Sequence, residues 1–159
     1  MPIPPYVTDL RKHIGHATLL LPAAAAIVRD EAGRVLLIRR GDGRGWSLPG
    51  GIMEPGECVA DCVVREVWEE SGFHVVPRKV IGVYDANRSG RPLELYHAYK
   101  VIFLCDLTGG EARPSDETSD VGFFPFDDLP SLSANRTHQR HLVEVLAHVQ
   151  DPDRPAAFD

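Results

Sequence analysis

Gly51-Ile52-Met53-Glu54-Pro55-Gly56-Glu57-Cys58-Val59-Ala60-Asp61-Cys62-Val63-Val64-Arg65-Glu66-Val67-Trp68-Glu69-Glu70-Ser71-Gly72-Phe73 is a glycine-bounded turn followed by one helix. From Cys58 to Ser71 there is neither proline nor glycine, whereas Gly50, Gly51, Pro55 and Gly56 crowd the approach and Gly72 closes the far end. That is the punctuation of a helix. At about 100° per residue, Glu66, Glu69 and Glu70 fall within one sector. Ala60, Val63, Val64, Val67 and Trp68 fall on roughly the opposite side and are expected to face a core.

Stability alone would not select this arrangement. Carboxylates three and four residues apart repel by roughly 0.2 to 0.5 kcal/mol per pair, and they stand in the last turn, where the helix dipole also disfavours negative charge. A bound cation reverses both penalties. An all-carboxylate set of hard oxygen donors points to Mg2+ or Mn2+ rather than zinc, and Arg65 stands beside the cluster to neutralise or orient one carboxylate. The triplet Glu-x-x-Glu-Glu alone is common on solvated helices; the whole string is not.

Gly51, Glu57, Arg65-Glu66-Val67, Glu69-Glu70 and Gly72-Phe73, at these spacings, resemble the Nudix box of the Nudix hydrolases at every defined position, and Trp46-Ser47-Leu48-Pro49-Gly50 is similar to that family's usual entry into the box. The resemblance implies an α/β fold, the family's α/β/α sandwich around a central mixed β-sheet. It also implies hydrolysis of a pyrophosphate bond in a nucleoside diphosphate linked to another moiety: a nucleotide sugar such as ADP-ribose, a dinucleoside polyphosphate or a (d)NTP. Carried over by position, Glu69 and Glu70 resemble the main metal ligands, with Glu66 a third ligand or the general base. Gly50 would offer its backbone carbonyl, Glu57 would hold the turn against the helix or share the metals, and Arg65 would orient a carboxylate. A further loop carboxylate is implied, for which Glu117 in Pro114-Ser115-Asp116-Glu117-Thr118 fits best, with Asp116, Asp120 and Glu111 as rivals. The alternative is a Nudix-fold sensor that holds a nucleotide without cleaving it; the intact Arg65, Glu66, Glu69 and Glu70 speak against that.

The bulk properties agree. A chain of 159 residues with 43% hydrophobic and 25% charged residues suits one soluble domain. A net charge of −6 gains little from phosphate counterion release and argues against stable nucleic-acid binding. An acidic protein that handles phosphates needs a metal to mediate. Three cysteines are too few for a disulfide framework, so a reducing cytoplasm is expected. Arg11-Lys12-His13 before the apolar run from Leu19 to Val28 imitates a signal peptide, but Pro22 and the short length favour a core strand, and no membrane span is expected.

Along the chain, residues 1–18 read as an N-terminal helical extension, with Tyr6, Val7, Leu10 and Ile14 at helical spacing, packing on the domain or serving a homodimer. Residues 19–150 read as a single domain. Ala23 to Arg29 and Arg34 to Arg40 form a hairpin about Asp30-Glu31-Ala32-Gly33. An extended segment at 73–84 is interrupted by Pro77, and strands follow at 93–107, ended by Gly109-Gly110, and at 121–126, with a helix from Asn135 to Gln150, and residues 151–159 read as a disordered tail. For a small-molecule nucleotide substrate, Arg88 and Arg91 are candidates for a terminal phosphate or ribose. Tyr84, Tyr96, Tyr99, Phe124 and Trp46 are candidates for stacking on a base, Tyr84 foremost. Tyr96 and His97 point to opposite strand faces, so at most one of them lines a site.

Overall fold

The computed structural model describes residues 3–41, 43, 45–86, 95–133 and 139–159, the side chains of 139 and 140 excepted. In chain order its elements are α1 (Pro5–Ile14), β1 (Leu19–Arg29), β2 (Val35–Arg40), β3 (Trp46–Ser47), β4 (Gly50–Ile52), α2 (Val59–Ser71), β5 (Phe73–Asp85), β6 (Tyr96–Gly110), β7 (Thr118–Phe124), α3 (Gln139–Gln150) and β8 (Ala157–Phe158). The strands make one mixed sheet in the order β3-β2-β1-β6-β5-β8, with β4 paired to β1 and β7 to β2. β1 runs parallel to β6, while β5 and β6 are antiparallel.

The unbroken apolar run in β1 follows from burial on both faces. Ala24, Ala26 and Val28 join Cys62, Val63 and Val67 of α2 in one core, and Ala25 and Ile27 join Leu142 and Val145 of α3 in the other. Alternation along a strand sends successive side chains to opposite layers, so β1 is the filling of an α/β/α sandwich. Its alanines are small for a reason: at Gly50, where φ is +152°, an added Cβ would stand 2.3 Å from the Ala24 carbonyl oxygen and 2.8 Å from the Ala25 Cβ. The turn before the box therefore lies directly against the central strand.

α2 ends as its sequence requires. Gly72 takes the left-handed conformation at φ 78° and donates its N–H to the Trp68 carbonyl at 2.9 Å. The faces of α2, however, are not those that periodicity alone predicts. Cys62, Val63, Glu66, Val67 and Glu70 are buried, while Trp68 is 44% and Val64 37% exposed. The helix is rolled so that two carboxylates lie at the edge of its buried side, because β4 and β7 present polar groups there.

Three further expectations are corrected. The tail from Asp151 is ordered: Ala157 and Phe158 pair with Gly82 and Val83, and Lys79 Nζ donates to the carbonyls of Pro152 and Arg154, each at 2.6 Å. β5 passes through Pro77 by register shifts instead of breaking there. β6 extends through Gly109 and Gly110 to Phe73 rather than stopping before them. In α1, Val7 is buried and Tyr6 donates its hydroxyl to the Met53 carbonyl at 3.1 Å, whereas Leu10 and Ile14 are exposed.

Candidate active site

Two arginines organise the carboxylates. Arg65, on α2, donates from Nε and Nη2 to the two oxygens of Glu57 at 2.7 and 3.0 Å, and from Nη1 to Glu66 at 2.9 Å and Glu69 at 3.1 Å. Glu57 in turn accepts the Glu54 backbone N–H at 2.9 Å, which ties the box turn to the helix. This bidentate grip holds the Glu57 carboxyl below the usual carboxylate range, and the same hydrogen bonds raise Arg65. Glu66 behaves oppositely. Burial, and then the neighbouring Glu70 carboxylate, push it up to about 7 against an ordinary 4.5.

The second arginine is Arg40, at the end of β2 and only 5% exposed. Its Nη2 donates to the Gly50 carbonyl at 3.1 Å and forms an ion pair with Glu70, and its Nη1 lies 3.6 Å from Glu117. Glu70 also accepts the Gly50 N–H at 2.8 Å, and Thr118 donates its hydroxyl to the Glu70 backbone carbonyl at 2.8 Å. Burial raises the Glu70 carboxyl, and Arg40 and the Gly50 amide oppose that rise.

The carboxylates open onto a cleft of about 110 Å3 lined by Arg65, Glu66, Glu69 and Glu117, with Ile3 and Ile52 at its side. Ile3 and Ile52 also line a larger cavity of about 230 Å3, whose walls include Leu21, Leu48, Tyr96 and Ala98 and whose charged groups are Arg40 and Lys100. Among the described residues lining that cavity there is no carboxylate.

The fold thus brings Gly50, Glu57, Arg65, Glu66, Glu69, Glu70 and Glu117 to one place. Of the rival loop acids Asp116, Asp120 and Glu111, none lines the cleft. Among the described residues no three acidic, histidine or cysteine side chains already converge as an ion cage. Tyr84 does not join the site: it is buried and lies against His141, ring centroids 4.6 Å apart, in the α3-side core. Trp46 and Phe124 are spent on an edge-to-face contact with each other. Tyr96 lines the cavity, whereas His97 pairs with Asp85 at 3.3 Å. Arg88 and Arg91 lie outside the described residues.

Arg40, Lys100 and Ile3 are what sequence reading passed over. For Arg40 a signal existed: strand alternation in Arg39-Arg40 must send one of the two inward, just ahead of Trp46-Ser47-Leu48-Pro49-Gly50. For Ile3 and Lys100 none did, since both reach the cavity only through tertiary placement.

Comparison with known proteins identifies the family. A family model described as NUDIX domain matches residues 19–146. An ADP-ribose pyrophosphatase of Methanocaldococcus jannaschii is 34% identical over 144 residues, covering 87% of this chain and 79% of that protein. A MutT-like protein of Streptomyces ambofaciens is 36% identical over 135 residues, covering 82% of each. Among solved structures, an ADP-ribose pyrophosphatase from Streptococcus suis superposes with a TM-score of 0.77 at 34% identity, covering 87% of this chain and 98% of that one.

Proposed function

This chain belongs to the Nudix family and is a pyrophosphohydrolase of nucleotide substrates, and we propose that its substrate is a nucleoside diphosphate sugar of the ADP-ribose kind, cleaved with Mg2+ or Mn2+. The observation that carries the reading is the joint between cavity and cleft. Arg40 and Gly50 line the apolar cavity and also touch the carboxylates of α2. A ligand seated in the cavity by an apolar ring therefore has its phosphates at the carboxylates.

The residues fit a divalent cation. The Gly50 carbonyl is presented by a backbone that a Cβ would drive into Ala24, and Glu70 is a buried carboxylate that needs a cation beside it to stay ionised. Glu66, Glu69, Glu70 and the Gly50 carbonyl are assigned as the ligand set. These residues would hold divalent ions, whose positive charge would offset that of the phosphates; without it carboxylates could not approach a pyrophosphate.

The chain's own residues then do the positioning. Arg65 fixes Glu66 and Glu69 and, through Glu57, the box turn. Leu21, Leu48, Ala98 and the Tyr96 ring seat the base, while Lys100 and Arg40 meet the phosphate charge. Glu117, on the loop facing α2 and about one-third exposed, takes the proton from the attacking water. All three cysteines are free, which fits the reducing cytoplasm.

Anion-exchange chromatography of ADP-ribose incubated with the protein and Mg2+ or Mn2+ tests this directly. AMP and ribose 5-phosphate should appear together and in equal amounts. Turnover of 8-oxo-dGTP or a dinucleoside tetraphosphate in preference to ADP-ribose would overturn the substrate class, and tight binding with no product would return the chain to a sensor.

A further inference from the structure

We propose that Arg40 is a built-in stand-in for the metal: its guanidinium holds the Gly50 carbonyl and the Glu70 carboxylate, and it yields them to the ion by turning to the nucleotide's phosphates, so that metal and nucleotide bind cooperatively through one side chain. This rests on the ligand set assigned above.

The geometry requires a choice. Nη2 of Arg40 occupies both acceptors at once, at 3.1 Å from the Gly50 oxygen and in ion contact with Glu70. A divalent cation takes a lone pair of the same oxygens at about 2.0 to 2.6 Å, which would set its charge against the guanidinium's across a single oxygen, so ion and guanidinium compete for them. Nor can Arg40 simply withdraw. It is 5% exposed, and a buried guanidinium without an anion is among the costliest groups in a protein.

Two anions are within its reach. One is Glu117, 3.6 Å from Nη1; the other is a phosphate in the cavity that Arg40 itself lines. Glu117 is a single carboxylate, about one-third exposed and screened by solvent. A diphosphate offers bidentate oxygens in the geometry the guanidinium fork matches. The ion therefore enters weakly alone and strongly when a diphosphate receives the arginine, and by linkage the diphosphate binds more tightly when the ion is present. Arg65 also holds two oxygens of that set, on Glu66 and Glu69, but it is one-quarter exposed and does not line the cavity, so water can take its place there and no phosphate in the cavity is needed to receive it.

The test is Mn2+ binding followed by electron paramagnetic resonance of the free ion at pH 8, with and without α,β-methylene-ADP. In the wild type the analogue should tighten Mn2+ by about tenfold or more, within the usual range of site-to-site coupling. Arg40→Met should bind Mn2+ alone about tenfold more tightly than wild type and lose most of the enhancement. Arg39→Gln, which removes the same charge from the exposed neighbour, should change neither quantity by more than about twofold. If Arg40→Met does not fold, Arg40→Gln serves: a neutral amide sets no charge against the ion and cannot pair bidentately with a diphosphate, so Mn2+ alone should tighten and the coupling should shrink. Variants at Arg40 that bind Mn2+ alone no better than wild type, or keep the full enhancement, overturn the inference while leaving the ligand set standing. A wild type that binds no Mn2+ even with the analogue overturns the ligand set, and this inference with it.

Discussion

Arg65 and Arg40 both hold carboxylates of α2, Arg65 two of them and Arg40 one, yet they do so in different media. Arg65 is one-quarter exposed and gathers Glu57, Glu66 and Glu69 from its own helix and the adjoining turn. Arg40 is almost wholly buried and gathers Gly50, Glu70 and Glu117 from β4, α2 and the loop before β7. Solvent can substitute for a lost partner at the first station and not at the second. With the roles proposed above, the difference separates residues whose loss should touch the reaction alone from residues whose loss should touch both reaction and fold.

Paired substitutions at neighbouring glutamates test that separation most severely. Glu69→Gln and Glu70→Gln should each lower turnover by on the order of 10² to 10⁴, the range for a positioned charged group, equal to roughly 3 to 5 kcal/mol of barrier. Only Glu70→Gln should also unfold more easily, by about 3 to 5 kcal/mol, since it strips a buried arginine of its counter-charge. Glu69 is half exposed, and its loss should leave stability within about 0.5 kcal/mol. Equal denaturation midpoints for the two variants would erase the distinction between the stations.

The next effect is a pH dependence. Glu66 keeps its proton up to about 7 in the folded chain, whereas an unfolded chain releases it near 4.5. Between those values the folded state binds more protons, so stability falls as pH rises. The contribution is fully present below about 4.5 and gone above about 7. Each pH unit across that window changes stability by about 1.4 kcal/mol, so the whole of it is worth roughly 3 kcal/mol. Glu57, whose carboxyl is depressed by Arg65, acts oppositely and only as pH falls below its ordinary value. In EDTA, thermal melts of the wild type should therefore fall from pH 5 to pH 7.5. Glu66→Gln should flatten that slope, and an unchanged slope would mean that Glu66 is solvated like Glu69.

These two stations also mark what a sequence discloses. Arg65, Glu66 and Glu69 are neighbours along one helix, so their spacing on the chain is their spacing in space. The sandwich was legible only through the resemblance of the box to its family, because the apolar run of β1 and the bounded helix are local patterns that leave their stacking open. Strand alternation could turn Arg40 inward but could not name its partners, which come from elements that meet only after β2, β4 and α2 have packed. The roll of α2 escapes periodicity on similar grounds. Periodicity counts Trp68 as apolar and Glu70 as polar, but the ledge that α2 packs against offers Glu70 an arginine, an amide N–H and, for its backbone carbonyl, the Thr118 hydroxyl. Tail residues such as Ala157 carry too little pattern to announce a two-residue strand. Their pairing depends on Gly82 and Val83 presenting a free sheet edge.

A milder probe is Arg65→Lys. The ammonium keeps the charge but cannot hold both oxygens of Glu57 while reaching Glu66 and Glu69. The expected loss is about 1 to 2 kcal/mol of stability, one or two net hydrogen bonds at a partly solvated site, with a smaller fall in turnover than at Glu69. Differential scanning calorimetry alongside the turnover assay separates the two; a loss as large as that of Glu70→Gln would place Arg65 in the buried class after all.

The smallest effect belongs to the side of α2 that faces away from both arginines. Trp68 is 44% exposed, and the guanidinium of Arg113 lies 5.2 Å from its ring centroid. An exposed cation–π contact contributes about 0.5 to 1 kcal/mol, and half-exposed apolar area adds little to that. Trp68→Ala should therefore lower the melting temperature by only a few degrees, at about 2 to 4 °C per kcal/mol for a chain of this size, and leave turnover unchanged. A buried tryptophan would cost about 3 to 5 kcal/mol instead. A loss of that size on urea titration would mean that the outer face of α2 is covered in solution, and that its exposed Val64 and Trp68 belong to an interface rather than to the solvent.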